Sequence, residues 1–445
     1  MKNIIIQGLL ILITFSFSFG QEESRLNSKY LDSKVLEEKR EVLIYLPENY
    51  SENKAYPVIY LTDGGTTNFE AARNYLDILS KPIYDAVPQC ILVGIIQQNR
   101  NAELDVFGKE RGKKFINFIF NELVPYVDNS YNTSGFNTMI GHSDGAEVNH
   151  HMMLTEGNPF RGFISISTNF NTDLKEEVGQ FMKSYEGAQM YYFIANGTQD
   201  AFMRTDAGNA FAEIYKNSSN DHIDFKKETY QGDHQSIVAL SLLDGLTFIF
   251  KDYKNIEQYA TAIDYGENYL SDLKEIYGID ANYDIADTEV FFMDIIGNKK
   301  LDEYHYLIEL IDEHKLFFGS GIDPVNRANH YYAMEMYPET IEYYNKAVKE
   351  LDTIHPQLFY ANIFRVVKAY KIENRLTEAV DFLEKSKHKL PEKYTLRMNY
   401  RIAKLCLDNQ IELNKGKAAL EYCKTNYEEN KLFTMDNLLE LENKL

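Results

Sequence analysis

The chain has 445 residues, 44% of them hydrophobic and 25% charged, with a formal net charge of −21 at pH 7. Such a composition belongs to a folded globular protein with room for two domains, and excludes a disordered or fibrous chain. The acidity argues against nucleic acid and anionic lipid surfaces as partners, because like charges repel.

Residues 1–20, "MKNIIIQGLLILITFSFSFG", place Lys2 before an apolar run that ends in small and aromatic residues ahead of the polar "QEES". This is the layout of a secretory signal peptide cleaved near Gly20 and Gln21. The mature protein is therefore expected to be exported, periplasmic or secreted, with no membrane insertion after cleavage. The only cysteines are Cys90, Cys406 and Cys423, and an odd number at wide spacing is no disulfide framework.

From about Val42 to Phe250 short β-branched or aromatic runs alternate with amphipathic stretches. "REVLIYLPENY", "YPVIYLTDGG" and "CILVGII" read as strands, and "KKFINFIFNELVPYV" as one helix with Phe115, Ile119 and Leu123 on its apolar side. Further strands are expected at 138–140, 163–167 and 190–195. Strands apolar on both faces and separated by helices imply a mostly parallel sheet covered on both sides, an α/β domain over 21–253. Over 254–445 helical periodicity takes over. Four segments resemble one another when aligned on Tyr304, Thr340, Ala379 and Ala418, at intervals of 36, 39 and 39 residues. That spacing predicts an all-α, tetratricopeptide-like helical-repeat domain, a surface for a protein or peptide partner.

The stretch "GHSDG", Gly141 to Gly145, carries the chemistry. G-x-S-x-G between a strand and a helix forces the serine onto a strained turn, with glycines two residues either side to avoid collision. "NTMI" reads as the strand end and "AEVNHHMMLTEG" as the helix. A serine hydroxyl needs a base to take its proton and a carboxylate to orient that base. Beyond the following helix, the α/β half offers His222, in a polar loop, and His234, in a turn entering an apolar helix; His234 is the stronger candidate. For the acid, Asp200 ends the strand and turn "MYYFIANGTQD", where α/β sites are built, with Asp206 as a close rival and Asp233 as a turn residue. The developing oxyanion needs backbone donors, for which the amides of Asp144 and of Gly64 or Gly65 are the candidates. His150 and His151 diverge by about 100° on a helix and cannot share one ion, so no metal is expected.

With these residues placed, residues 42–253 resemble the putative-esterase family of α/β-hydrolases, which includes esterase D, ferric-enterobactin esterases and carbohydrate-acyl esterases. "YPVIYLTDGG", "ILVGIIQQNR", "FIFNELVPYVDNSYNT", "TMIGHSDGAE" and "GDHQSIVALSLLDGLTFIF" occur in the family's order. The resemblance implies Ser143 as nucleophile and His234 as general base. It implies a cofactor-free carboxylic-ester hydrolase for siderophore-type or acyl-carbohydrate-type esters, with transfer to another alcohol as the variant. Arg100, in "QQNRNAELD", matches a loop that borders the substrate cleft in relatives. Asp144 departs from the family's apolar residue, and its carboxylate would repel the oxyanion unless turned away or paired with a cation such as Arg100. A silent hydrolase-like scaffold beside a peptide-binding repeat is the rival that Asp144 motivates.

Overall fold

A computed structural model describes residues 25–106, 110–351 and 355–445, so residues 1–20, expected to be a signal peptide, lie outside the described residues. One eight-stranded sheet runs in the order β1-β2-β4-β3-β5-β6-β7-β8. Its strands are β1 (Leu26–Ser33), β2 (Glu38–Tyr45), β3 (Tyr56–Thr62), β4 (Ile91–Ile95), β5 (Thr133–His142), β6 (Phe160–Ile166), β7 (Met190–Gly197) and β8 (Ile223–Tyr230). β2 is antiparallel to both its neighbours, and every pair from β4 to β8 is parallel. Every residue of β3, β4 and β7 is buried, as a sheet with helices on both faces requires.

Strand β1 was not expected, and "LNSKYLDS" shows why. It is an edge strand whose polar side chains suit an open edge and give no continuous apolar run. The single helix expected over 113–127 is divided into Glu110–Phe118, a π turn over Ile119–Leu123, and Val124–Ser130. Pro125 cannot donate to the carbonyl of Asn121, and the ladder widens ahead of it. Phe115, Ile119 and Leu123 are all buried in the core.

The chain divides into two compact units. The first runs to Asn255 and also takes in Tyr269–Ala281; the second holds Ile256–Asn268 and Asn282–Leu445. The returning segment is built into the first unit's core. The Tyr277 ring lies 4.9 Å from Phe136 and 5.4 Å from Phe250, its hydroxyl donates to the Ile249 carbonyl at 3.1 Å, and Arg161 Nη1 donates to the Ile276 carbonyl at 2.7 Å.

In the second unit the helices Leu301–Glu313, Tyr337–Lys349, Leu376–Lys389 and Leu413–Thr425 are each followed by another: Pro324–Ala333, Pro356–Ile372, Thr395–Asn409 and Met435–Glu442. The fourth residue of each leading helix, Tyr304, Thr340, Ala379 and Gly416, is buried. The alignment at Ala418 is thereby corrected, for Ala418 is exposed. The last leading helix starts 37 residues after the one before it, and a Cβ on Gly416 would stand 2.7 Å from Cys406 Cβ. All three cysteines are free and buried.

Candidate active site

Four strands deliver their carboxyl ends to one place. Asp63 follows β3, Ser143 follows β5, Ser167 follows β6 and Asp200 follows β7, at the sheet edge where parallel α/β folds build sites. Ser143 has φ 61 and ψ −120, a left-handed conformation that costs a non-glycine residue of order 1–3 kcal/mol. The flanking glycines make the turn sterically feasible. A Cβ on Gly141 would lie 2.2 Å from the Gly145 carbonyl oxygen, and one on Gly145 would lie 2.4 Å from Thr62 Oγ1. Ser143 stands at the N-cap of the helix Asp144–Leu154, yet its side chain makes no capping bond, which leaves the hydroxyl to other uses. Its own N–H donates to the Ile166 carbonyl at 2.9 Å.

His234 lies on the turn before the helix Ser236–Ile249. That turn is tied to the serine turn through His142, whose Nε2 is 2.7 Å from the His234 carbonyl oxygen and whose ring centroid is 4.7 Å from that of His234. Because a carbonyl can only accept, His142 carries its proton on Nε2; burial lowers its pKa and favours this neutral form. His234 Nδ1 is 3.0 Å from Asp200 Oδ1 and 2.8 Å from Ser167 Oγ. Its other ring nitrogen, Nε2, is thus the one available for chemistry.

Asp200 has a side chain only 1% exposed. Burial alone would raise its pKa, but hydrogen bonds from the Ser167 hydroxyl, the Ala201 amide and His234 hold it below the usual carboxylate range. Asp206 is exposed on the helix Phe202–Lys216. Asp233 caps the turn at Gln235 and Ser236, and His222 Nδ1 meets the Gly187 carbonyl at 2.8 Å. The geometry therefore brings Asp200, and neither rival acid, to His234.

Among the glycines after β3, the structure separates the two candidates. Gly64 N–H donates to the Ile95 carbonyl at 2.9 Å, so it is not the free donor, while Gly65 is exposed. The Asp144 amide is the first of its helix, where no intrahelical acceptor exists.

Arg100 does not point freely into a cleft. Its Nε and Nη2 donate to the two carboxylate oxygens of Asp63 at 2.7 and 3.1 Å, and its Nη1 donates to Asp144 Oδ2 at 3.0 Å. Asp144 also faces Arg204, with Nη2 3.7 Å from Oδ1. Ser167, Arg204, Asp63 and Glu147 escaped the sequence reading. The positions of Asp63 and Ser167 at strands' carboxyl ends were the one usable signal. Glu147, one turn past Asp144, is 9% exposed, and its pKa is pushed up to about 7 by burial and by the charge of Asp144. His150 is buried with Nε2 2.7 Å from Thr168 Oγ1 and Nδ1 2.8 Å from the Tyr192 hydroxyl.

A family model described as putative esterase matches residues 33–239. YjcH, an uncharacterized protein of Bacillus subtilis (strain 168), is 30% identical over 224 residues, which make up 47% of this chain and 90% of YjcH. Among solved structures, an IroE-like serine hydrolase from Shewanella oneidensis is 25% identical with a TM-score of 0.52, over 64% of this chain and 98% of that one. An uncharacterised protein from Capnocytophaga ochracea DSM 7271, 16% identical, shares the fold over 85% of this chain and 99% of its own, with a TM-score of 0.53.

Proposed function

Because the chain belongs to the putative-esterase family, with an α/β-hydrolase fold, and is a carboxylic-ester hydrolase, we propose that it works through an acyl-enzyme on Ser143. Ser143 Oγ adds to the ester carbonyl while His234 Nε2 takes its proton. The carbon–oxygen bond to the alcohol then breaks, and the imidazolium returns that proton to the leaving alkoxide. Water repeats the sequence on the acyl-enzyme and releases the acid. Asp200 and Ser167 fix the imidazole with its Nδ1 toward them, and the amides of Gly65 and Asp144 receive the oxyanion. Apart from the ester and one water, every group that moves a proton or meets a charge belongs to the chain, so the mechanism calls for no cofactor.

The observation that carries this reading is the clasp on His234. Its Nδ1 lies 3.0 Å from a buried carboxylate while its turn is pinned to the strained serine turn. Hydrolysis of an aryl acetate by the purified mature chain tests it. Ser143→Ala and His234→Ala should each lower kcat by about 10³-fold or more. Equal, substantial activity in both variants would reject it. The substrate class we assign is a siderophore-type or acyl-carbohydrate-type ester. Residues 1–20 are assigned to export, and the helix pairs to a tetratricopeptide-like stack that receives a protein or peptide.

A further inference from the structure

Asp144, the residue that seemed most hostile to an oxyanion, stands between two arginines. We propose that Asp144 and Arg100 are positioning residues that hold the two oxyanion-donor turns in register, an inference that rests on Ser143 being the nucleophile. One turn is Asp63-Gly64-Gly65, in which Asp63 has a left-handed φ of 60; the other is Ser143-Asp144. A single guanidinium joins them, since Arg100 grips both Asp63 oxygens and one Asp144 oxygen, and reaches the His142 carbonyl at 3.4 Å. Each of its nitrogens donates to a protein oxygen, so substrate contact is not its main task.

The guanidinium is itself aimed from the core. Arg100 opens the one-turn helix Arg100–Glu103, and Glu103 forms a two-pronged pair with Arg40, at 2.8 and 2.9 Å. Both of those side chains are fully buried. On the opposite side Arg204 reaches Asp144 and donates through Nη1 to the Ser167 carbonyl. Ser167 in turn holds Asp200 and His234. The line Asp63, Arg100, Asp144, Arg204, Ser167 thus links the oxyanion turns to the base. It also sets two guanidinium charges against two carboxylates, so Asp144 does not stand as a bare negative charge at the oxyanion. A preorganised amide donor is worth about 10²–10³ in kcat, and a misplacement of about 1 Å costs about 10²-fold.

The test is steady-state kinetics of the mature full-length chain on 4-nitrophenyl acetate and on an aryl ester carrying a carboxylate in its acyl chain. Arg100→Met should lower kcat on both by about 30–300-fold, with KM within about threefold. Arg100→Lys should recover part of that loss, and Asp144→Asn should lower kcat by about 10-fold. The double variant Arg100→Met with Asp144→Asn should be no slower than Arg100→Met alone, because the two share one link. A raised KM confined to the carboxylated ester, with kcat intact, would make Arg100 a substrate-binding group and overturn the proposal. So would independent, multiplying losses from the two substitutions. Should Arg100→Met fail to fold, Arg100→Lys, which keeps the charge, and the near-isosteric Asp144→Asn carry the same comparison. Ser143→Ala separates the two readings. If it keeps activity, the serine mechanism fails; if it is inert while Arg100→Met turns over at the native rate, only the positioning role fails.

Discussion

At the scale of single residues the site is a problem in charge placement, and Glu147 exposes it most simply. Its carboxyl, ordinarily at 4.5, is pushed up to about 7 by burial and the nearby Asp144. The folded chain therefore holds this proton more tightly than the unfolded one. The group costs nothing at low pH, and destabilises the fold increasingly as pH rises from about 4.5 through 7. Glu147→Gln, which mimics the neutral acid, should raise the thermal midpoint by about 2–6 °C at pH 8 and leave it nearly unchanged at pH 5. Melting curves at the two pH values check this, and an equal effect at both would refute it. The same scale shows what a sequence can reveal of such a site. Ser143 was visible because its glycines are demanded by sterics at fixed spacing, and His234 and Asp200 because chain order and strand ends limit where a base and an acid can stand. Ser167 and Asp63 had only their places at strand ends to mark them and Arg204 had nothing, because no neighbour's identity announces any of the three. They matter through contacts made across 33 to 67 positions in the chain.

At the scale of elements, long apolar runs were legible and deviations from regularity were not. β3, β4 and β7 announce themselves because burial on both faces forces continuous apolar sequence. β1 is quieter because an edge strand must stay polar, and the π turn over Ile119–Leu123 is hidden inside an unbroken amphipathic pattern. The short helix Arg100–Glu103 is the extreme case, four residues with no periodicity, yet it aims Arg100. Its hold on the fold is the buried Glu103, which serves both Arg40 and, at 2.9 Å, Arg111. Removing Glu103 takes away the buried carboxylate and leaves only the more exposed Glu38 as the anion beside Arg40 and Arg111, at about 3 kcal/mol. Glu103→Ala is accordingly expected to lower the unfolding free energy by that amount, read from the fall in the urea midpoint at unchanged slope. Esterase activity per folded molecule should fall as well, since Arg100 loses its anchor. A stable variant with native turnover would show that the helix needs no such anchor.

At the scale of the whole molecule the placement of residues 269–281 decides where the hydrolase unit can be separated from the rest. Periodicity alone put the change of texture near Tyr253, because helical sequence begins there. What periodicity could not show is that part of this helical sequence completes the α/β core. Tyr269, Leu273 and Tyr277 are buried, and Tyr277 closes an aromatic cluster with Phe136 and Phe250. Its hydroxyl also receives the Asp252 amide at 3.2 Å. Nearby, Gly278 at φ +68 runs so close to β5 that a Cβ would stand 2.0 Å from the Ser134 carbonyl oxygen. Loss of one buried aromatic typically costs about 3–5 kcal/mol, and losing this whole segment would remove several such side chains from a unit of ordinary, marginal stability. A chain of residues 21–253 should therefore be insoluble or bind a hydrophobic dye, without esterase activity. A chain of 21–283 restores that core, although residues 256–268 lose the second unit they belong to, and should melt cooperatively and hydrolyse aryl acetates within about threefold of the full chain's kcat. Tyr277→Ala in the longer chain should move it toward the shorter one's behaviour. Equal folding and turnover of the two chains would show that the segment merely rests on the sheet, and the hydrolase unit would then end where its sequence texture ends.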